Sequence, residues 1–253
     1  MGLIVGGVLV GQDLVRAAEV RTAISQVEKY SSAVSTFRSK YNSLPGDLSA
    51  SVASKFGFVA RGPNAGEGDG NGIIEGISTD AAGSNNGFLE SGETTTFWTD
   101  LGTATLIDDN LSSAKPNTAP AIAFAELGSY FPLVKLGHGN HIYVYSTGGV
   151  NYYGISKLSS VAQGGALASS PGMTVEQAFQ IDQKVDDGAP TTGNVTAVYN
   201  TGIISENSAA QTSAHAANPP GLTDCYDASA TPAYAVTVNK GVSTNCALSF
   251  RFQ

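Results

Sequence analysis

The feature that most constrains this chain is an unbroken helical pattern over its opening residues. From Val20 the apolar residues fall at Val20, Ile24, Val27, Tyr30, Val34, Phe37 and Tyr41. Steps of three and four place them on one helical face. Arg21, Gln26, Glu28, Ser32, Arg38 and Lys40 occupy the other side, as a wetted face requires. No turn signal separates this stripe from the opening "MGLIVGGVLVGQDLVRAAEV". A helix from near the N-terminus to about Tyr41 is roughly 60 Å long at 1.5 Å per residue. That exceeds the width of a small domain, so its N-terminal half is expected to project. "LPGDL" is expected to end it, because Pro45 disfavours the helical region at Leu44 and Gly46 follows.

The projecting tip is apolar but short. Leu3, Ile4, Val8, Leu9 and Val10 are interrupted by Gly6 and Gly7, and Gly11 and Leu14 follow. A membrane helix needs about 20 apolar residues, and this run is far shorter. A signal peptide would have a basic start and a small-residue cleavage site, and neither is present. Gly2, Gly6, Gly7 and Gly11 make two interleaved Gly-x-x-x-Gly spacings, which allow close helix packing. Each glycine also costs a helix about 1 kcal/mol, so the segment is a weak point that can unwind. Leu3, Ile4, Gly6, Gly7, Val8, Leu9, Val10, Gly11 and Leu14 form the predicted assembly surface. The bland reading is a frayed terminus on an isolated head.

Beyond Pro45 the character changes. Residues 57–93 are rich in Gly, Asn and Asp and have little periodicity. A short helix around "TTTFWTDLGTATLI" is expected to bury Phe97, Trp98 and Leu101. "IYVYSTGGVNYYGISKL" alternates and turns at Thr147-Gly148-Gly149, the pattern of a hairpin. "MTVEQAFQIDQKVDDGAP" has a helix cap at Thr174, a capping box completed by Gln177, a stop at Gly188 and then Pro190. Further strands are expected at Val195–Tyr199, Tyr234–Val238 and Ala247–Phe252, and "SENSAAQTSAHAANPPG" as a small-residue loop. The class is α+β: a helical spine over residues 1–44, packed on an antiparallel sheet within a head spanning 45–253.

Composition excludes some partners. The 253 residues carry a net charge of −8 and a pI near 4.7, which argues against nucleic acid. Charged residues make up 13%, about half the usual share, a balance that suits an extracellular protein better than a cytoplasmic one. The two cysteines, Cys225 and Cys246, flank "AYAVTVNKGVSTN" and fit a single disulfide closing the last loop of an exported protein. Two unpaired thiols in a reducing compartment are the alternative.

These residues together resemble the type IV pilins and the type II secretion pseudopilins. The opening through "YNSLPGDL" is similar to the prepilin N-terminal helix from its midpoint onward, and "FWTDLGTATLI" and "IDQKVDDGAPTTGNV" are similar to head segments of large bacterial members. The resemblance implies a helical filament of identical subunits, with N-terminal helices bundled centrally and heads outside. It also implies residence in the inner membrane before assembly. Members of the family begin with a methylated phenylalanine and carry a glutamate a few residues in. Here Met1 stands where the family has the middle of its hydrophobic segment, and Val5 is not that glutamate. About a dozen further apolar residues ahead of Leu3–Val10 would complete a span, so the sequence is expected to begin late. A variant that never enters a membrane is the other reading.

"EGDGNGIIEG" carries the sharpest chemical signal. Glu67, Asp69 and Asn71 alternate, Gly72 follows, and Ile73 and Glu75 fall at the next alternate positions. This tracks the first nine positions of a calcium loop, in which oxygens converge on a hard cation. Ile73 would contribute its carbonyl. The twelfth position is Ser78 rather than glutamate, and Glu90 or Glu93 would have to supply that oxygen. The alternative is a solvated glycine loop. His138 and His141 could form half of a metal site, but with no third ligand nearby they read as a polar turn. Ser112–Lys115 matches Ser-x-x-Lys without the companion Lys-Thr-Gly. "NLS" at Asn110 and "NVT" at Asn194 are glycosylation sequons. No nucleophile elbow, phosphate loop or His-Glu-x-x-His occurs, so no enzyme is expected. Two functions follow: a filament subunit, or a soluble extracellular calcium-dependent binding module on a helical stalk.

Overall fold

A computed structural model describes residues 2–58, 68–74, 93–109, 111, 122–161, 166–203, 209 and 211–253, with backbone alone at 2–10 and Ala50. Helix α1 (Gly2–Tyr41) is the predicted long helix. Its stripe is buried at Val20, Tyr30, Val34, Phe37 and Tyr41 and is widened by Ala23 and Ala33. Ile24 and Val27 are only partly covered, so they flank the seam rather than centre it. The helix ends before the proline. Asn42 turns left-handed (φ 55°), and its N–H donates to the Arg38 carbonyl at 2.8 Å. This is a C-terminal stop that asparagine tolerates well.

After a short helix α2 (Ala50–Lys55) comes α3 (Glu93–Thr103). It buries Phe97, Trp98 and Leu101 completely, as its sequence predicts. Trp98 meets Tyr30 of α1 edge to face, with centroids 4.9 Å apart. The hairpin is present as β1 (Asn140–Thr147) and β2 (Val150–Val161). It turns on Gly148 and Gly149, both at positive φ, the two-glycine geometry that matches strand twist. β1 lies along one edge of β2, while β3 (Ala166–Ser170) pairs with its far end on the other edge.

Helix α4 (Val175–Val185) has the reciprocal Thr174–Gln177 capping box. Gln177 Nε2 also donates to Glu19 of α1 at 3.1 Å and to the Leu136 carbonyl, which fixes the spine to the head at its upper end. The expected strand at 195–199 is split at Ala197 into β4 (Val195–Thr196) and β5 (Val198–Asn200), which join different sheets. β6 (Gly202–Ile203), β7 (Gln211–Ser213), β8 (Ala216–Ala217) and β9 (Tyr226–Asp227) follow, so the expected loop over 205–221 holds two short strands. β10 (Leu248–Arg251) completes the main sheet, in the order β4-β10-β2-β3-β6 with β1 on β2. The expected strand Tyr234–Val238 is not one. Tyr234 makes only an isolated bridge to Tyr226, and the chain then coils at Val238–Gly241. Alternation there reflects side chains buried from a loop rather than a ladder. Cys225 and Cys246 are joined, as the sequence predicts.

Candidate functional site

The site lies where α1 hands over to the head. Gly46 adopts a left-handed φ of 82°, and a Cβ there would stand 2.4 Å from the Glu93 carbonyl oxygen, so no other residue fits this close approach. The Gly46 N–H donates to Asp100 Oδ2 at 2.8 Å. The turn drives the next residue, Asp47, into the interior, where it is 1% exposed.

The glycine loop folds over that carboxylate. Asp47 Oδ1 accepts the Gly70 N–H at 2.7 Å and Oδ2 accepts the Gly72 N–H at 2.8 Å. Both glycines are left-handed, which lets alternate amides face the same point. Burial pushes the Asp47 carboxyl up to about 6; the Gly72 and Gly70 amides oppose this, and the neighbouring Asp69 charge adds to it. The loop is pinned from its other side by Asn151, which accepts from the Ile74 N–H and donates to the Gly72 carbonyl. Gln253 Nε2 donates to that same carbonyl at 3.2 Å. Ile74 is fully buried and acts as the loop's apolar anchor.

Among the predicted ligands, Glu67 and Glu75 lie outside the described residues. Asp69 and Asn71 are not aimed at a common centre in the expected manner. Asp69 Oδ1 accepts the Asn71 N–H at 2.9 Å, and Asn71 Oδ1 accepts the Ile73 N–H at 2.6 Å. These are local turns that the side chains close upon their own backbone. The carboxylates that do converge are Asp47, Asp69 and Glu93, with one oxygen of each within 4.8 Å of the others. Glu93 is a candidate donor from sequence; Asp47 is not, because "LPGD" reads first as a helix terminator. Three carboxylates without nitrogen or sulfur suit a hard cation such as Ca²⁺. Each oxygen that accepts one N–H still has a lone pair to offer.

The other acidic group, Asp182, Asp186 and Asp187, stands at the end of α4. Its oxygens are engaged by the chain itself. Asp182 accepts from the Tyr234 hydroxyl at 2.7 Å and the Gly188 N–H at 3.2 Å, while Asp187 accepts from Ala189 and Thr192. Asp186 accepts the Asn194 and Val195 amides. This cluster is a clamp between α4 and β4. Neither group among the described residues includes a histidine. His141 is buried within β1 against the Gly139 carbonyl, and His138 is exposed in the preceding turn.

Of the predicted assembly residues, Leu3–Val10 follow the α1 backbone, and their side chains lie outside the described residues. Gly11 has open space around it, and Leu14 and Val15 are 67% and 59% exposed. No helix among the described residues is long and apolar enough to cross a membrane. No protein-family model, curated protein or solved structure matches the chain.

Proposed function

We propose that this chain is a structural subunit of the pilin or pseudopilin type, polymerising through its N-terminal helix into an extracellular or periplasm-spanning filament. The observation behind this reading is the division of α1. From Val20 to Tyr41 one face is sealed against the head, whereas Leu14 and Val15 stand bare on a helix that continues to Gly2. Apolar side chains left exposed on a projecting helix call for a partner, and an identical helix is the partner every subunit supplies. In this reading the protein is held in the inner membrane before assembly and works at the cell surface, with no catalytic role. Electron microscopy of the protein in its native setting tests it: filaments with a subunit-sized axial repeat are expected, and single particles alone would overturn it.

The convergence of Asp47, Asp69 and Glu93 favours a second element, a calcium ion bound at the foot of the spine. In a filament the ion would stiffen the joint between helix and head. In a soluble calcium-dependent binding module it would order the loop for a ligand. The two differ in whether purified protein assembles when calcium is present.

A further inference from the structure

We propose that subunits associate through opposite charges, with the free face of α1 docking on the acidic head of a second copy. This rests on the filament reading above. The charges of the chain are unevenly divided. Residues 1–44 carry five Lys and Arg against three Asp and Glu, whereas residues 45–253 carry eight against eighteen. Over the packed half of the helix the basic residues Arg21, Lys29, Arg38 and Lys40 are all exposed, and Glu28 is the one exposed acid among them. Lys29 already pairs with Asp108 of its own head at 3.2 Å, so the outward cations are Arg21, Arg38 and Lys40. The wet face of the spine is therefore basic while the body it stands on is strongly acidic. Identical copies with that division repel one another head to head and attract helix to head, which selects a staggered, heterologous contact of the kind that propagates a filament rather than closing a dimer.

The face between those cations is also suited to burial. The hydroxyls of Thr22, Ser35, Thr36 and Ser39 donate to carbonyls one turn back on their own helix, at 2.8–2.9 Å. Covering these four leaves none of their donors unpaired, so part of the penalty for burying polar side chains is already met. Arg21 and Arg38 stand at the two ends of this face and are the residues that a neighbouring acidic head would engage.

The test uses the full chain. Sedimentation and electron microscopy are run at low and at high salt on the wild type, on Arg21→Glu/Arg38→Glu and on Arg21→Lys/Arg38→Lys, with melting curves to show that each is folded. Wild-type association should weaken about tenfold between low and roughly half-molar salt, where the screening length falls to a few ångströms. The glutamate pair should lose association at low salt, and the lysine pair should retain it. Assemblies that form equally well with the glutamate pair and ignore salt would overturn the charge-directed contact while leaving the filament reading standing. A wild type that stays monomeric at low salt would also overturn the charge-directed contact, while filaments or single particles in the native setting decide the filament reading.

Discussion

The Asp47 carboxylate accepts the Gly72 amide at 2.8 Å across twenty-five positions of sequence. With the matching bond from Gly70, it ties the glycine loop to the residue that ends the spine. Asn151 and the buried Ile74 side chain hold residues 68–74 from the other side, so the Asp47 bonds are one of several ties that fix this stretch. Replacing Asp47 with Ala leaves both amides without that acceptor, and the loss is expected to be about 2 kcal/mol. Chemical denaturation of the variant measures it, and an unchanged midpoint would show that the loop does not depend on the clasp.

Calcium should raise the melting temperature, and Asp69→Ala should abolish the rise. Asp69 is exposed, so its removal costs the fold little while taking one carboxylate from the cluster. At a hundredfold excess over the dissociation constant the gain is about 2.7 kcal/mol. Magnesium should substitute poorly, since it demands tighter octahedral geometry. Superimposable melts in chelator and in millimolar calcium would leave Asp47 as a purely internal clasp.

Stability should fall as pH rises from about 4 to about 6. Asp47 and Asp182 are both pushed by burial up to about 6, from an ordinary 3.8. A carboxyl with a raised folded-state pKa binds its proton more tightly in the fold, so the fold is favoured at the acid end of that window and loses that advantage as the group ionises. Asp187 and Asp227 are held low by hydrogen bonds, and their contribution disappears only below the window. Asp182→Asn should shrink the fall without unfolding the head: the amide oxygen can accept from Gly188, and the amide nitrogen can donate to a reoriented Tyr234 hydroxyl. Melting temperatures across this range, in chelator, provide the check.

The spine, the hairpin and α4 could be read from sequence because their signals are local: a stripe at helical spacing, two glycines between alternating runs, a complete capping box. The disulfide followed from there being only two cysteines. What could not be read is non-local. Tyr234–Val238 alternates like a strand because Tyr234 and Ala235 are buried, yet no neighbouring strand offers it a ladder. The clasp was hidden for the same reason. Nothing near "LPGD" announces that Asp47 will meet amides more than twenty residues away, and the calcium-like spacing points to Glu67 and Glu75 instead.

The Cys225–Cys246 bond joins residues 21 positions apart in sequence. In the chain-entropy model its removal costs about 3 kcal/mol. A double Cys→Ala variant should therefore unfold at lower denaturant with little change in slope, and both sulfurs of the native protein should resist maleimide when denatured without reductant. Because both cysteines are fully buried, reductant alone should act slowly on the folded protein.

The last expectation separates folding from assembly on the same helix. Phe37 is fully buried, with its ring 4.5 Å from Tyr41 and 5.7 Å from Phe58. Phe37→Ala should cost about 3–5 kcal/mol, because the surrounding aromatic rings cannot collapse fully into the gap. Val34→Asp should be as severe, since the charge enters the sealed seam. Val27→Asp should be milder, because that position is only partly covered and its carboxylate can reach water. Leu14→Asp, about six turns above Phe37 at 3.6 residues per turn, touches no part of the core and should leave the head's melting curve unchanged. If α1 serves assembly, Leu14→Asp should nevertheless reduce filament yield at least tenfold, the penalty of carrying a charge into a helix bundle. A Leu14→Asp protein that assembles like the wild type would mean that the bare half of the helix is not the polymerising surface.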